Sequence, residues 1–424
     1  MMLQLVRKWA AVVLVLQLVG PTRAVIGQVG RGSVVITHVR VFTGTEVVPS
    51  ATVVIRDGII AAFGRRATAP YDAIEIDGHG LTLLPGLIDS RVRLTPGALE
   101  TAAQFGVTTE IDFGASPDLV ARLRQQSREP HGTPVADFIS GGIPLSLASS
   151  YPGYQLSITA SDQVEAAVDS SITSGAAFTI VVVENALDRD EGLNGALSIL
   201  KPLVSVTHRR HRMIVADTRS LHGAREAFSV GVDGLGQMFI TQPTDPGFGG
   251  HVGQRQAFVI SSLSELQTLA GRVGGDSLLS DSALGPYIAT EVRQQILLRP
   301  AETNPSLPYE GASAALRLIP GRGGSILAGS GAGMPGVAHG VGLHRELQLL
   351  VAAGLTPVQA LTAATSAPAR VFCLKDKGRI RLGAPADLVL VRGDPTSDIL
   401  ATREIVRVWR AGVQVNRNPP TGDR

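Results

Sequence analysis

The sequence predicts an α/β chain, a (β/α)8 barrel with a small composite β-sandwich built from both chain ends. Two textures and the length of 424 residues predict it. Across 84–371, continuous apolar runs such as 178–183, 213–216, 257–260 and 325–328 alternate with amphipathic helical stretches. Uninterrupted apolar strands separated by helices imply a parallel sheet covered on both faces. Roughly 290 residues of such alternation suit an eight-fold barrel better than a doubly wound sheet. On either side of it, the chain turns to short β-branched runs split by turn residues.

Taken in chain order, Arg7 and Lys8 precede an apolar run over 9–20 that only Gln17 interrupts, followed by Pro21 and the small residue Ala24. That is the order of a secretory signal peptide. It is shorter than the ~20 residues a spanning helix needs. Residues 1–24 are therefore expected to be removed and the mature chain exported, periplasmic or extracellular, with an uncleaved anchor as the alternative. Val34-Val35-Ile36 and Thr52-Val53-Val54-Ile55 read as strands, and Arg56-Asp57-Gly58 as a tight hairpin turn leading into 59–64. The glycine- and proline-rich stretch 242–253 reads as a loop over the barrel mouth. After Cys373, strands are expected at 379–382, 386–391 and 405–415. The expected division is 25–84 plus 372–416 for the sandwich, 85–371 for the barrel, and a frayed tail over 417–424.

Composition narrows the function classes. Apolar residues make up 44% and 48 residues are glycine, while charged residues reach only 17%, against about 25% in an average chain. A disordered chain is excluded. A net charge of +2 and 4% aromatic residues supply neither a basic face nor a stacking platform for nucleic acid. One cysteine, Cys373, excludes an intrachain disulfide and a cysteine-rich zinc module. No second apolar stretch is long enough to span a bilayer once the leader is gone.

The ordered motifs then carry a resemblance. The chain reads Ile76-Asp77-Gly78-His79-Gly80-Leu81-Thr82-Leu83-Leu84-Pro85-Gly86-Leu87-Ile88-Asp89, then Gly106-Val107-Thr108-Thr109, and later Leu327-Ala328-Gly329-Ser330-Gly331. It continues through His344-Arg345-Glu346-Leu347, Gly354-Leu355-Thr356-Pro357, Ala363-Ala364-Thr365 and Ala386-Asp387-Leu388-Val389. In this it resembles the amidohydrolase superfamily, close to its imidazolonepropionase- and prolidase-like members. The resemblance implies a (β/α) barrel with a composite sandwich, and hydrolysis of C–N bonds (non-peptide amide, lactam or dipeptide) with one or two divalent metals, usually zinc.

At each position where the family places a metal ligand or its general base, this chain carries something else. The family's His-x-His uses the two-residue period of a strand to aim both imidazoles at one metal. Here Arg91 and Arg93 stand in Asp89-Ser90-Arg91-Val92-Arg93, and a guanidinium has no lone pair to give. The family's lysine slot falls on Ile180, its next histidine on Asp217, its third on Gln237, and its general-base aspartate on Gly331. Asp217 alone binds a metal weakly, and a neutral amide is a poor transition-metal ligand. Together these changes remove the activated water and the proton carrier. The expectation is a metal-free, catalytically degenerate protein with no cofactor.

His208 and His211 read as a solvated helix end, His339 and His344 as packing and capping residues, and His251 as a loop histidine able to approach the mouth. No Gly-x-Ser-x-Gly elbow and no phosphate-loop lysine are present. Arg91 and Arg93, both expected to point into the mouth, either replace the metal's charge, with Asp217 as a partner, or form a fork for a small carboxylate or phosphate ligand. The alternatives are an active hydrolase recruiting Asp217, Glu184 or His251, and a subunit acting as a homo-oligomer or beside an intact relative in a hetero-oligomer.

Overall fold

A computed structural model of the chain describes residues 33–420 except 69, 128–133, 148–154, 184–189, 243–244, 273, 302 and 320. The expected signal peptide and Glu184 lie outside the described residues.

The barrel strands run Leu87–Val92, Val107–Asp112, Asp137–Ser140, Thr179–Val182, Ile214–Asp217, Gly234–Leu235, Phe258–Ile260 and Ser325–Leu327. They pair in parallel within two arcs, the first three strands and the last five. One seam between the arcs is closed by Ser90 N donating to Ala328 O at 2.8 Å and by a bridge between Val92 and Ala332. On the other, Ala177 N donates to Ser140 O at 2.8 Å. The longer strands are buried from end to end, which is why they read as continuous apolar runs. Their two-residue period divides the side chains. Ile88, Ile111, Phe178, Ile180, Val215 and Ile260 pack together inside the barrel. Their neighbours Val181, Ile214, Ala216 and Val259 face the helices.

Both chain ends contribute to one forked eight-stranded sheet. Strand Val34–Phe42 pairs antiparallel with Val47–Arg56 on one edge. Its other edge is shared by Ile74–Asp77 and Leu81–Pro85, both parallel to it. Leu81–Pro85 joins the C-terminal strands Leu388–Arg392, Ile405–Arg410 and Val413–Gln414 to the sheet. The predicted hairpin is a tight turn with left-handed Asp57 and Gly58, φ 52° and 84°. Gly58 O and Ala384 O accept from Ala386 and Ile60, so the hairpin closes onto the C-terminal segment around Ile36, Val53, Leu83, Leu388 and Trp409.

Three expectations are corrected. Residues 379–382 form no strand; Ile380 N donates once to Thr43 O. A helix, Phe248–Gln254, begins inside 242–253 and runs past its end. Its glycines serve close packing: a Cβ on Gly249 would stand 2.0 Å from Leu318 O, and one on Gly253 1.8 Å from Arg322 O. The start of the tail is anchored, because Arg417 donates to Gln104 O and Ile405 O, both at 2.6 Å, and lies 4.4 Å over the Tyr287 ring. Among the described residues no helix is long and apolar enough to cross a membrane.

Candidate functional site

A (β/α)8 barrel assembles its chemistry at the C-terminal ends of its strands. There the fold brings four side chains together. Arg91 is near the end of the first strand, Asp217 ends the fifth, Gln237 follows the sixth, and Glu265 sits on helix Leu263–Leu269 after the seventh. Arg91 Nε donates to Glu265 Oε2 at 3.1 Å, Nη2 to Asp217 Oδ2 at 3.2 Å, and Nη1 to the carbonyl of Gly236 at 3.1 Å. Gln237 Nε2 donates to the other Asp217 oxygen at 2.7 Å. The guanidinium also lies 5.2 Å over the Phe113 ring. Arg91 is 8% exposed, Asp217 8% and Glu265 5%. At that burial the ion pairs are poorly screened, and each charge depends on its partner.

Glu265 was not anticipated. The run Ser262-Leu263-Ser264-Glu265 has the form of a capping box, in which Glu265 would turn back on its own helix end. Instead Ser262 is left-handed and makes no side-chain cap. Buried Glu346 caps the helix, accepting from Leu263 N at 2.8 Å, Ser264 N at 2.7 Å and Ser261 Oγ at 2.5 Å. The His344-Arg345-Glu346 segment thus positions the helix that delivers Glu265, freed from capping, to Arg91.

The position of the family's general base explains how Glu265 fits. Gly331 has φ +78°, and a Cβ there would stand 2.6 Å from both Cβ and Oε2 of Glu265. An aspartate at 331 and a glutamate at 265 would compete for one volume. Ile180, the expected lysine slot, pairs with Val215, whereas the residue paired with Asp217 is Val182. Ile180 therefore belongs to the apolar filling beneath the site.

Arg93 shares no hydrogen bond or ion pair with the Arg91 cluster among the described residues. The register between the first two strands slips between Asp89 and Val92, which inserts an extra residue. The strand then ends at Val92, and Arg93 N donates to Ala332 O at 2.7 Å. Its half-buried guanidinium makes no ion pair among the described residues, and its Nε is buried without a hydrogen-bond partner.

Beneath the cluster lies a buried polar layer. Asp89 accepts from Ser330 N at 2.8 Å and Ser330 Oγ at 2.5 Å. Burial pushes the Asp89 carboxyl up to about 7 against those hydrogen bonds. Glu110 Oε1 meets His339 Nδ1 at 2.8 Å. Burial disfavours the charged His339 ring, but the Glu110 carboxylate outweighs it and raises the ring's pKa. His344 packs as expected, against Thr402 and Phe105 O, and burial drives it down to about 4. His208 pairs with Asp233 at 3.0 Å at the surface, and His251 is exposed on its helix.

A divalent metal, which the fold's relatives imply, does not fit these residues. Both Asp217 oxygens already accept hydrogen bonds, Glu265 is bound to a permanent cation, and a guanidinium stands between them.

Residues 321–415 match the Amidohydrolase family. A deacetylase from Brucella anthropi is 30% identical over 106 residues, 23% of this chain and 26% of that protein. The aligned part thus spans only about a quarter of that relative. Solved structures match over nearly the whole chain. A Bifidobacterium longum protein described as a candidate prolidase has a TM-score of 0.73 at 20% identity, covering 92% of this chain and 96% of that one. A Xaa-Pro dipeptidase with bound methionine in its active site gives 0.69 at 19%, covering 90% and 99%. The A. niger ochratoxinase gives 0.66 at 19%, covering 90% and 95%. At such identities the structures establish the fold. The family match lies over the last barrel strand, the helices after it and the returning sandwich strands, and the chain is similar in fold to these hydrolases over nearly its whole length.

Proposed function

We propose that this chain is an exported, non-hydrolytic member of a superfamily of C–N hydrolases, in which Arg91 stands in for the metal's positive charge. The observation that carries the reading is the Arg91 guanidinium bonded at once to Asp217, Glu265 and the Gly236 carbonyl. This arrangement supports charge replacement over an anion fork on Arg91, since each of its nitrogens already donates. The remaining capacity is binding. Arg93, which makes no ion pair among the described residues and has a buried Nε without a hydrogen-bond partner, offers a cation for a small carboxylate or phosphate ligand. The alternative, an active hydrolase built on Asp217 or His251, finds Asp217 saturated and His251 exposed.

The test is turnover of dipeptide, lactam and cyclic-imide substrates with zinc, manganese or iron supplied. No hydrolysis is expected under any of these conditions. Metal-dependent turnover that disappears in Asp217→Asn would overturn the reading. Export predicts a mature N-terminus near Val25; purified protein still beginning at Met1 would contradict it.

A further inference from the structure

The sandwich carries a chemistry that the barrel lacks. Strand Val34–Phe42 holds a bulge: Ile36 pairs with Val53 and Val39 with Ala51, so Thr37 and His38 together oppose Thr52. His38 adopts φ +53° there and turns outward between buried Ile36 and Val39. The neighbouring parallel strand ends at Asp77, opposite Thr37, and its turn presents His79 beside it. The two imidazoles stack at 4.4 Å between centroids, 24° apart. Both Nδ1 atoms face one oxygen, Asp77 Oδ1, at 3.7 Å from His38 and 2.6 Å from His79. Among the described residues this is the one group of three such side chains whose ligand atoms lie within 4.8 Å of one another.

We propose that His38, Asp77 and His79 form a surface site for a borderline divalent transition ion such as zinc, nickel or copper. Two imidazoles and a carboxylate make the N2O donor set those ions prefer, and exposure leaves room for water to complete the shell. Metal–ligand bonds of ~2.0–2.1 Å put tetrahedral neighbours roughly 3.4 Å apart. His38 and Asp77 are already near that spacing, and His79 must open by under about 1 Å. The ion replaces the proton shared between His79 and Asp77. Two of the three ligands sit two residues apart in one turn, and the third comes from a separate strand, so the folded sheet assembles the set.

The test is titration of tag-free protein with Zn(II), followed calorimetrically and by the histidine side-chain resonances. One equivalent is expected to bind and to perturb His38 and His79. His38→Ala, His79→Ala and Asp77→Asn should each weaken binding by more than ~10-fold, while His208→Ala leaves it unchanged. All three side chains are 61–70% exposed, so folding is not at stake, and an unchanged Tm confirms it. Absent binding, weak binding that no single variant alters, or one equivalent that survives His38→Ala would each overturn the proposal. Loss of the metal in Asp217→Asn alone would instead place it in the barrel.

Discussion

At the barrel centre two carboxyl groups, Asp217 and Glu265, close on one guanidinium and are almost wholly buried, whereas on the sandwich surface one carboxylate, Asp77, stands between two mostly exposed imidazoles. The first set is saturated by its own internal cation. The second offers lone pairs to solvent. The two sets hold the same kinds of group in opposite surroundings, and the cost of disturbing each should differ accordingly.

The largest effect is expected at the centre. Arg91→Met leaves Asp217 and Glu265 buried and uncompensated, and removing one partner of such a pair costs about 3–5 kcal/mol. Urea denaturation measures it. Adding Asp217→Asn and Glu265→Gln should recover much of the loss, because neutral groups no longer need the cation. A cost for Arg91→Met under about 1 kcal/mol would mean that the cluster behaves like a surface ion pair, and the contrast between the regions would vanish.

A second effect tests, through its pH dependence, the segment 344–346 that caps the helix carrying Glu265. His344 is driven from 6.5 to about 4 by burial, so the unfolded chain binds the extra proton first. Stability from this residue is fully present above about pH 6.5 and is lost as pH falls toward 4, by ~3 kcal/mol in all. His344→Gln should flatten that part of the profile. An unchanged slope between pH 7 and 4.5 would show that the ring titrates freely.

Gly331→Ala should cost about 2 kcal/mol, because it combines a left-handed backbone with overlap on Glu265. The overlap is the informative part. In a Glu265→Ala background the same substitution should cost roughly half as much, leaving only the backbone share. Equal costs in both backgrounds would break the link between the glycine at 331 and the placement of Glu265.

Much of the fold was legible because burial on two faces leaves unbroken apolar runs, as in 178–183 and 325–328, and because Asp57-Gly58 admits few turns other than a tight hairpin. Arg91, Asp217 and Gln237 were legible as site candidates because the motifs around them mark the ends of barrel strands. What was not legible depends on neighbours distant in sequence. A register slip interrupts the pairing of the first two strands beside Arg91. Glu265 reads as a capping residue until Glu346, from a helix 81 positions on, takes that role. The glycines at 249 and 253 look like loop residues until Leu318 and Arg322 press against them. His38 and His79 are separated by 41 positions and meet only through strand pairing.

The smallest expected effect lies on the sandwich. His38 holds a left-handed conformation that glycine adopts without strain, and its exposed ring touches little besides His79 and Asp77. His38→Gly should therefore leave stability unchanged or raise it by up to about 1 kcal/mol in metal-free buffer. Excess zinc should stabilise the parent chain and not the variant, since only a folded sheet assembles the ligands. A loss above about 1 kcal/mol without metal would make the histidine pair a structural contact like the barrel cluster. An equal zinc response in both proteins would show that His38 contributes nothing to ion binding.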